Sequence, residues 1–173
     1  MKMINANKIL GNIRSNRELS SKYQEMSKVG NVEKISVSRL ESDRLRMRKV
    51  SDKGTELALT LPPGSCLNHD DIVLLTEEKM VIVQREPENV ALVTVRNNIP
   101  EDHILETAVK IGHTIGNLHR PLRIEGNKIT FPIQALSEIQ LFERLLSPIK
   151  DHLDIKSDNM IFEPEQGYNI HEH

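Results

Sequence analysis

The sequence predicts an α+β protein, with an N-terminal antiparallel β domain followed by a ferredoxin-like βαββαβ domain. Three observations carry that prediction. Apolar residues recur with a period of two through the first half of the chain. The polar, proline-bearing stretch Gln84-Arg85-Glu86-Pro87-Glu88-Asn89 then interrupts the pattern as a domain junction does. Beyond it, strand-like and helix-like periodicities alternate in the order β-α-β-β-α-β. The boundaries that follow are a β-rich domain over residues 1–84, a ferredoxin-like domain over 85–163 and a polar, mobile tail over 164–173.

In the first domain, residues 16–28 are polar and weakly patterned, and read as an irregular loop or a poor helix. Ile35 and Val37 alternate with polar neighbours, and Leu45 and Met47 alternate with Arg44, Arg46 and Arg48. Ser51-Asp52-Lys53-Gly54 signals a turn, after which Leu57, Leu59 and Leu61 resume the period of two. Pro62-Pro63-Gly64-Ser65 breaks the run. Ile72 to Leu75 and Met80 to Val83 flank Thr76-Glu77-Glu78-Lys79 as a hairpin does.

In the second domain, Val90 to Val95 reads as a strand. Asn98 with Glu101 forms a capping-box pattern, and Ile104, Leu105, Ala108, Ile111 or Gly112, and Ile115 follow at helical spacing. Leu122 to Ile124, the Glu125-Gly126-Asn127 turn and Ile129 to Phe131 form a hairpin. Ser137 with Gln140 is a second capping-box pattern, with Leu136 and Leu141 as its hydrophobic staple. Ile139, Phe142, Leu145, Leu146 and Ile149 mark that helix's inner face, and residues 159–162 make a last short strand.

Composition narrows the function classes. The chain has 173 residues, a formal net charge of −2 and 28% charged residues, which argues against a generic nucleic-acid binder. No apolar stretch reaches membrane-spanning length, and the N-terminal residues lack the apolar core of a signal peptide. A single cysteine precludes an internal disulfide framework. A cytoplasmic protein with no membrane association is the expectation. Aromatics are 3% with no Trp, so the cores must be aliphatic. G-x-S-x-G, H-E-x-x-H and the phosphate loop G-x-x-x-x-G-K-[ST] are all missing, so no enzyme activity is expected.

Histidine is the residue type left to carry chemistry. The candidates are His69, His103, His113, His119, His152, His171 and His173. His119 lies in Gly116-Asn117-Leu118-His119-Arg120-Pro121, where a helical pattern stops and a strand pattern begins. Gly116-Asn117 reads as the helix-ending pair, and Pro121 forces Arg120 toward extended backbone. An imidazole on so short a junction either bonds a nearby carbonyl or forms half of a metal site shared across a twofold axis. His113 is six residues from His119, so the two face different sides of one helix. His171 and His173 end the chain, either as a solvated terminus or as two mobile ligands. Cys66 and His69 have C-x-x-H spacing, but a zinc site needs about four ligands and no second cysteine exists. Arg44, Arg46, Arg48 and Lys49 form a basic strand face, which is either solvated or a docking surface for an acidic partner.

The hexapeptide around His119, the Pro-Leu-Arg-Ile strand after it and Phe162-Glu163-Pro164-Glu165-Gln166-Gly167 resemble the UreE family of urease accessory proteins. The G-N-x-H-x-P junction is the most specific piece. The resemblance implies a nickel metallochaperone that delivers Ni(II) for assembly of the urease active site, with a ferredoxin-like C-terminal domain. It implies a homodimer in which His119 and its symmetry mate complete one metal site. Histidine-bearing tails are common in the family, which brings His171 and His173 in as further ligands. It also implies an N-terminal domain similar to the peptide-binding domains of chaperones. The partners implied are a separate urease accessory GTPase and the urease apoprotein complex. Leu118 departs from the family pattern at a position that is not a ligand. Zinc and copper also accept imidazole nitrogen, so residue chemistry alone leaves the metal open. The rival class is a ferredoxin-like nucleic-acid-binding module, since RRM domains share the element order and stack bases on strand aromatics.

Overall fold

The computed structural model describes residues 3–164. The chain divides into two compact units, one ending at Glu86 and the other beginning at Pro87.

The N-terminal unit contains β1 (Ile4–Ala6), β2 (Gly11–Asn12), α1 (Arg17–Lys28), β3 (Val32–Val37), α2 (Arg39–Ser42), β4 (Arg46–Val50), β5 (Glu56–Thr60), β6 (Asp71–Leu75) and β7 (Met80–Arg85). They form a three-stranded sheet in the order β1-β5-β4 and a four-stranded sheet in the order β2-β6-β7-β3. The alternating residues meet in the main core, where Ile35, Val37, Leu57, Leu59, Val81 and Val83 are buried. The expected β domain is present, with a refinement. β1 pairs β5 and β3 pairs β7 in parallel, whereas the remaining pairs are antiparallel. Periodicity reports which face of a strand is buried and is silent on its neighbour's direction.

Residues 17–28 are a full helix, which corrects the reading of that stretch as an irregular loop or a poor helix. The Asn16 side chain accepts the Leu19 N–H at 3.1 Å and so caps it. Leu19, Tyr23 and Met26 pack with Ile72, Met80 and Ile82 in a second cluster. The i, i+4, i+7 spacing puts those three on one face. β7 is thus buried on both sides, by the main core and by α1. The stripe was thin in sequence because only these three positions of the helix pack on the sheet.

The C-terminal unit runs β8 (Glu88–Val95), α3 (Glu101–Asn117), β9 (Arg123–Glu125), β10 (Lys128–Pro132), α4 (Glu138–Leu145), a 3-10 turn (Ser147–His152) and β11 (Leu153–Met160). This is the βαββαβ arrangement. Its antiparallel sheet has the order β11-β8-β10-β9. Gly126 turns the β9–β10 hairpin at a φ of +60°, a conformation glycine adopts without a side-chain clash. Both helices pack on one face, around Val93, Ile111, Ile115, Phe131, Phe142 and Leu146. The Phe131 and Phe142 rings meet edge to face with centroids 4.6 Å apart.

Element ends differ from the sequence reading. α3 begins after Pro100 and α4 after Ser137, and neither N-cap side chain caps its helix. Leu136 is exposed, so the expected staple is not formed. Leu145 is also exposed, because Pro148 opens a 3-10 turn that redirects the chain. β11 starts at Leu153, well before the expected strand at 159–162. Its early half was hidden because Asp154, Lys156 and Asp158 lie on a face that no helix covers.

Candidate functional site

α3 ends in a Schellman motif, and His119 occupies its left-handed position. The His119 N–H donates to the Gly116 carbonyl at 2.9 Å, and the Arg120 N–H donates to the Ile115 carbonyl at 3.4 Å. His119 has a φ of +50°. Gly116 and Asn117 remain inside the helix, so the left-handed residue is the histidine itself and not the Gly-Asn pair read as the helix-ending signal. A β-carbon in this region costs about 1–2 kcal/mol, so the junction holds an exposed imidazole in a conformation glycine would prefer.

The next residue clamps that junction. The Arg120 guanidinium pairs with the Glu138 carboxylate at 2.9 Å and donates to the Pro132 carbonyl at 3.4 Å. Glu138 also accepts the Gln134 N–H at 3.0 Å. The end of α3 is thereby tied to the start of α4 and the end of β10. Pro121 stiffens the exit.

α3 carries a second apolar surface besides its buried one. Thr107, Ile111 and Ile115 face the core. Ile104, Leu105 and Val109 are 51%, 75% and 59% exposed, although Ile104 shares the i, i+7, i+11 row of Ile111 and Ile115 and lines the same cavity as they do. Leu105, Val109, Gly112 and Gly116 align at i, i+4, i+7 and i+11 along a strip that leads to His119. A β-carbon on either glycine would meet nothing within 4 Å.

His113 lies beside this strip, where its Nε2 accepts from the Asn117 side-chain amide at 2.9 Å. His171 and His173 lie outside the described residues. His103, in the first turn of α3, approaches His152 at the end of the 3-10 turn, with ring centroids 5.6 Å apart. Sequence spacing had no signal for that pair, which only the fold brings together.

The Cys66–His69 loop is structural. His69 Nδ1 accepts the Arg85 N–H at 3.0 Å, and its Nε2 lies 3.6 Å from Asp70. Burial, with Asp43 nearby, pushes the Cys66 thiol up from its ordinary range, away from the thiolate a metal requires. Among the described residues, no three histidine, cysteine or carboxylate side chains are grouped to hold a metal ion. Arg44, Arg46 and Arg48 are exposed, whereas Lys49 sits on the other face of β4 and pairs with Glu41 at 2.7 Å. No helix among the described residues is long and apolar enough to cross a membrane.

The helix-free face of the C-terminal sheet presents Leu92, Thr94, Arg123, Lys128, Lys156 and Asp158 around a cavity of about 470 Å³. Phe131, the aromatic residue of those strands, is buried on the opposite face. Base stacking of the RRM kind therefore has no strand aromatic to use there.

Fold and site together define a two-unit protein whose ferredoxin-like unit displays an imidazole at a clamped helix end, beside an exposed apolar strip. Residues 6–85 match the N-terminal domain of the UreE urease accessory proteins. A urease accessory protein UreE 1 of Pseudomonas syringae pv. tomato is 27% identical over 149 residues, covering 86% of this chain and 96% of that protein. A UreE of Haemophilus influenzae is 30% identical over 102 residues, covering 58% of this chain and 51% of that one. A UreE of Natronomonas pharaonis is 25% identical over 127 residues, covering 73% and 58% respectively. The similarity to UreE urease accessory proteins thus extends over both units of the chain.

Proposed function

We propose that this chain is a cytoplasmic nickel metallochaperone acting in urease assembly. Two copies pair through their C-terminal units, and the two His119 side chains hold one Ni(II) at the seam. His171 and His173 approach from the tails and complete the coordination. The loaded dimer passes its ion to the urease apoprotein in a complex with a separate accessory GTPase. Its N-terminal unit serves as the partner-binding part. No catalytic step is assigned to the chain.

The observation that carries this reading is the placement of His119. It stands exposed on a rigid junction at the end of the Leu105–Val109–Gly112–Gly116 strip. That strip has the apolar content and the bare glycine backbone to accept a second copy closely. A twofold axis beside it brings two imidazoles together, which answers the lack of a three-ligand cluster among the described residues of one chain. Borderline divalent ions accept such nitrogen ligands, and a site of few exposed ligands releases its ion readily.

Calorimetric nickel titration of the wild type and His119→Ala, with oligomer mass measured in parallel, tests the reading. The wild type should show one tight ion per dimer, and His119→Ala should lose that step while remaining dimeric. A tight step that survives the substitution, or a stoichiometry of one tight ion per chain, overturns it.

A further inference from the structure

β4 is the edge of its sheet, whose strand order is β1-β5-β4. Its partner β5 places Leu59 opposite Met47 and Leu57 opposite Lys49. Just beyond the ends of β4, the Leu61 N–H donates to the Leu45 carbonyl at 2.7 Å, and the Ser51 N–H donates to the Thr55 carbonyl at 2.9 Å. Hydrogen-bonded pairs alternate along an antiparallel ladder, so Met47 and Lys49 bond to β5 while the N–H and C=O groups of Arg46 and Arg48 point away from it. The Asp52 N–H donates to the Lys34 carbonyl at 2.9 Å and ties the chain beyond β4 to β3. Alongside Arg46 and Arg48, no strand among the described residues pairs on that outer side.

The side chains along this edge share one charge. Arg44, Arg46 and Arg48 are exposed at alternate positions, so a rise of about 3.4 Å per residue spaces neighbours by about 7 Å. Arg14, Arg96, Arg120 and Arg123 each pair with a carboxylate. Among the described residues the three arginines of the edge pair with none. Like charges in such a row repel a second copy of the same edge. They attract a strand with carboxylates at the matching two-residue interval, because each guanidinium fork takes a carboxylate in two parallel hydrogen bonds. Nucleic-acid phosphates carry the same charge but bring no peptide backbone to complete the edge. The three strands of this sheet also hold no aromatic residue on which a base could stack.

We propose that the β4 edge is the docking strand for an extended acidic segment of a partner protein. The segment adds to the sheet beside β4, and its alternate carboxylates meet Arg44, Arg46 and Arg48. This deepens the reading of the N-terminal unit as the partner-binding part, on which it rests, and is independent of His119 and its ion.

The test uses the full chain and a synthetic peptide of alternating glutamate and threonine, with binding followed by calorimetry and by backbone amide resonances. The peptide should bind, and the amides of Arg46 and Arg48 should shift most. Arg44→Gln, Arg46→Gln and Arg48→Gln combined should weaken binding about tenfold, as the sum of three exposed ion pairs. Raised salt should weaken the wild type and change the triple variant little. N-methylation of the peptide backbone, which removes its donors to the edge, should weaken binding by a similar factor. The three side chains are exposed, so the triple variant should keep its circular dichroism spectrum and thermal midpoint, and the wild-type resonance map stands without it. Absence of peptide binding overturns the proposal, as does equal binding by the triple variant. Tighter binding of oligothymidylate than of the peptide would make the row a nucleic-acid contact and overturn it as well. Shifts on another face of the N-terminal unit overturn the β4 site alone, whereas shifts confined to the C-terminal unit also overturn the partner-binding role of the N-terminal one.

Discussion

Around Glu33 the N-terminal unit closes a network of buried polar groups, whereas the C-terminal unit brings His103, His113 and His119 to the surface. Glu33 is buried on β3, and its carboxylate accepts from Ser51 at 2.5 Å and from Lys79 at 3.0 Å. Lys79 also reaches Thr55 at 2.9 Å, and Ser51 accepts the Thr55 N–H at 2.9 Å. His69 has protein groups at both ring nitrogens. In the C-terminal unit His103, His113 and His119 are exposed, and His119 sits in a backbone conformation that favours glycine. A polar side chain with a closed network contributes stability. One kept exposed at some backbone cost is a candidate for function.

The largest way to break the comparison is to remove a core ring from the C-terminal unit. Phe131→Ala opens a cavity beneath α3 and α4 and should cost about 3–5 kcal/mol. Each unit has its own core, so urea titration followed by amide exchange should show β8 to β11 losing protection first while β3 to β7 keep theirs. Simultaneous loss in both units would mean that the two cores are energetically one.

Next comes the buried network. Glu33→Gln removes a charge-assisted bond from Lys79 and should cost about 2 kcal/mol at neutral pH. Burial pushes the Glu33 carboxyl up, but hydrogen bonds from Ser51, Thr55 and Lys79 outweigh it and leave it below its ordinary value of 4.5. The folded protein therefore binds this proton less readily than the unfolded chain. Its contribution is present above the ordinary carboxylate range and is lost as pH falls through the lowered folded value. The gap in stability between wild type and Glu33→Gln, followed by denaturant titration, should narrow with acidification. A constant gap would show that the carboxylate charge is irrelevant.

The third test separates function from fold at one residue. His119→Gly and His119→Ala should lose the tight nickel step equally. Glycine relieves the left-handed strain, so His119→Gly should be more stable than His119→Ala by about 1 kcal/mol. Equal thermal midpoints for the two would show that the junction relaxes away from the observed backbone.

The smallest effect is expected from the clamp. Arg120 and Glu138 side chains are only 19% and 18% exposed, yet the pair keeps water contact, so Arg120→Ala should cost about 1 kcal/mol. Nickel affinity should fall a few-fold through loosening of the frame. Loss of the whole tight step would instead make Arg120 part of the site.

Hydrophobic periodicity determined most of the architecture. The alternations at Ile35–Val37, Leu57–Leu61 and Met80–Val83 and the β-α-β-β-α-β order follow from burying one face of each element, a local property that sequence records directly. The junction at His119 was legible too, because Pro121 and the residues before it restrict backbone choices within a few positions. What needed the tertiary structure was everything set by distant partners. The helix at Arg17–Lys28 has few apolar residues, and the sheet face holding Ile72, Met80 and Ile82 gives its stripe something to cover. The polar half of β11 is a strand because β8 pairs with it residue by residue. Ile104, Leu105 and Val109 share the helix with the buried residues, and only the position of the sheet decided that Thr107, Ile111 and Ile115 would go inward. Which residue of the junction turns left-handed depended on the hydrogen bonds that end α3, and tolerant residue types alone pointed one turn too early. The meeting of His103 with His152 is the extreme case, since a contact between remote positions leaves no mark on local periodicity.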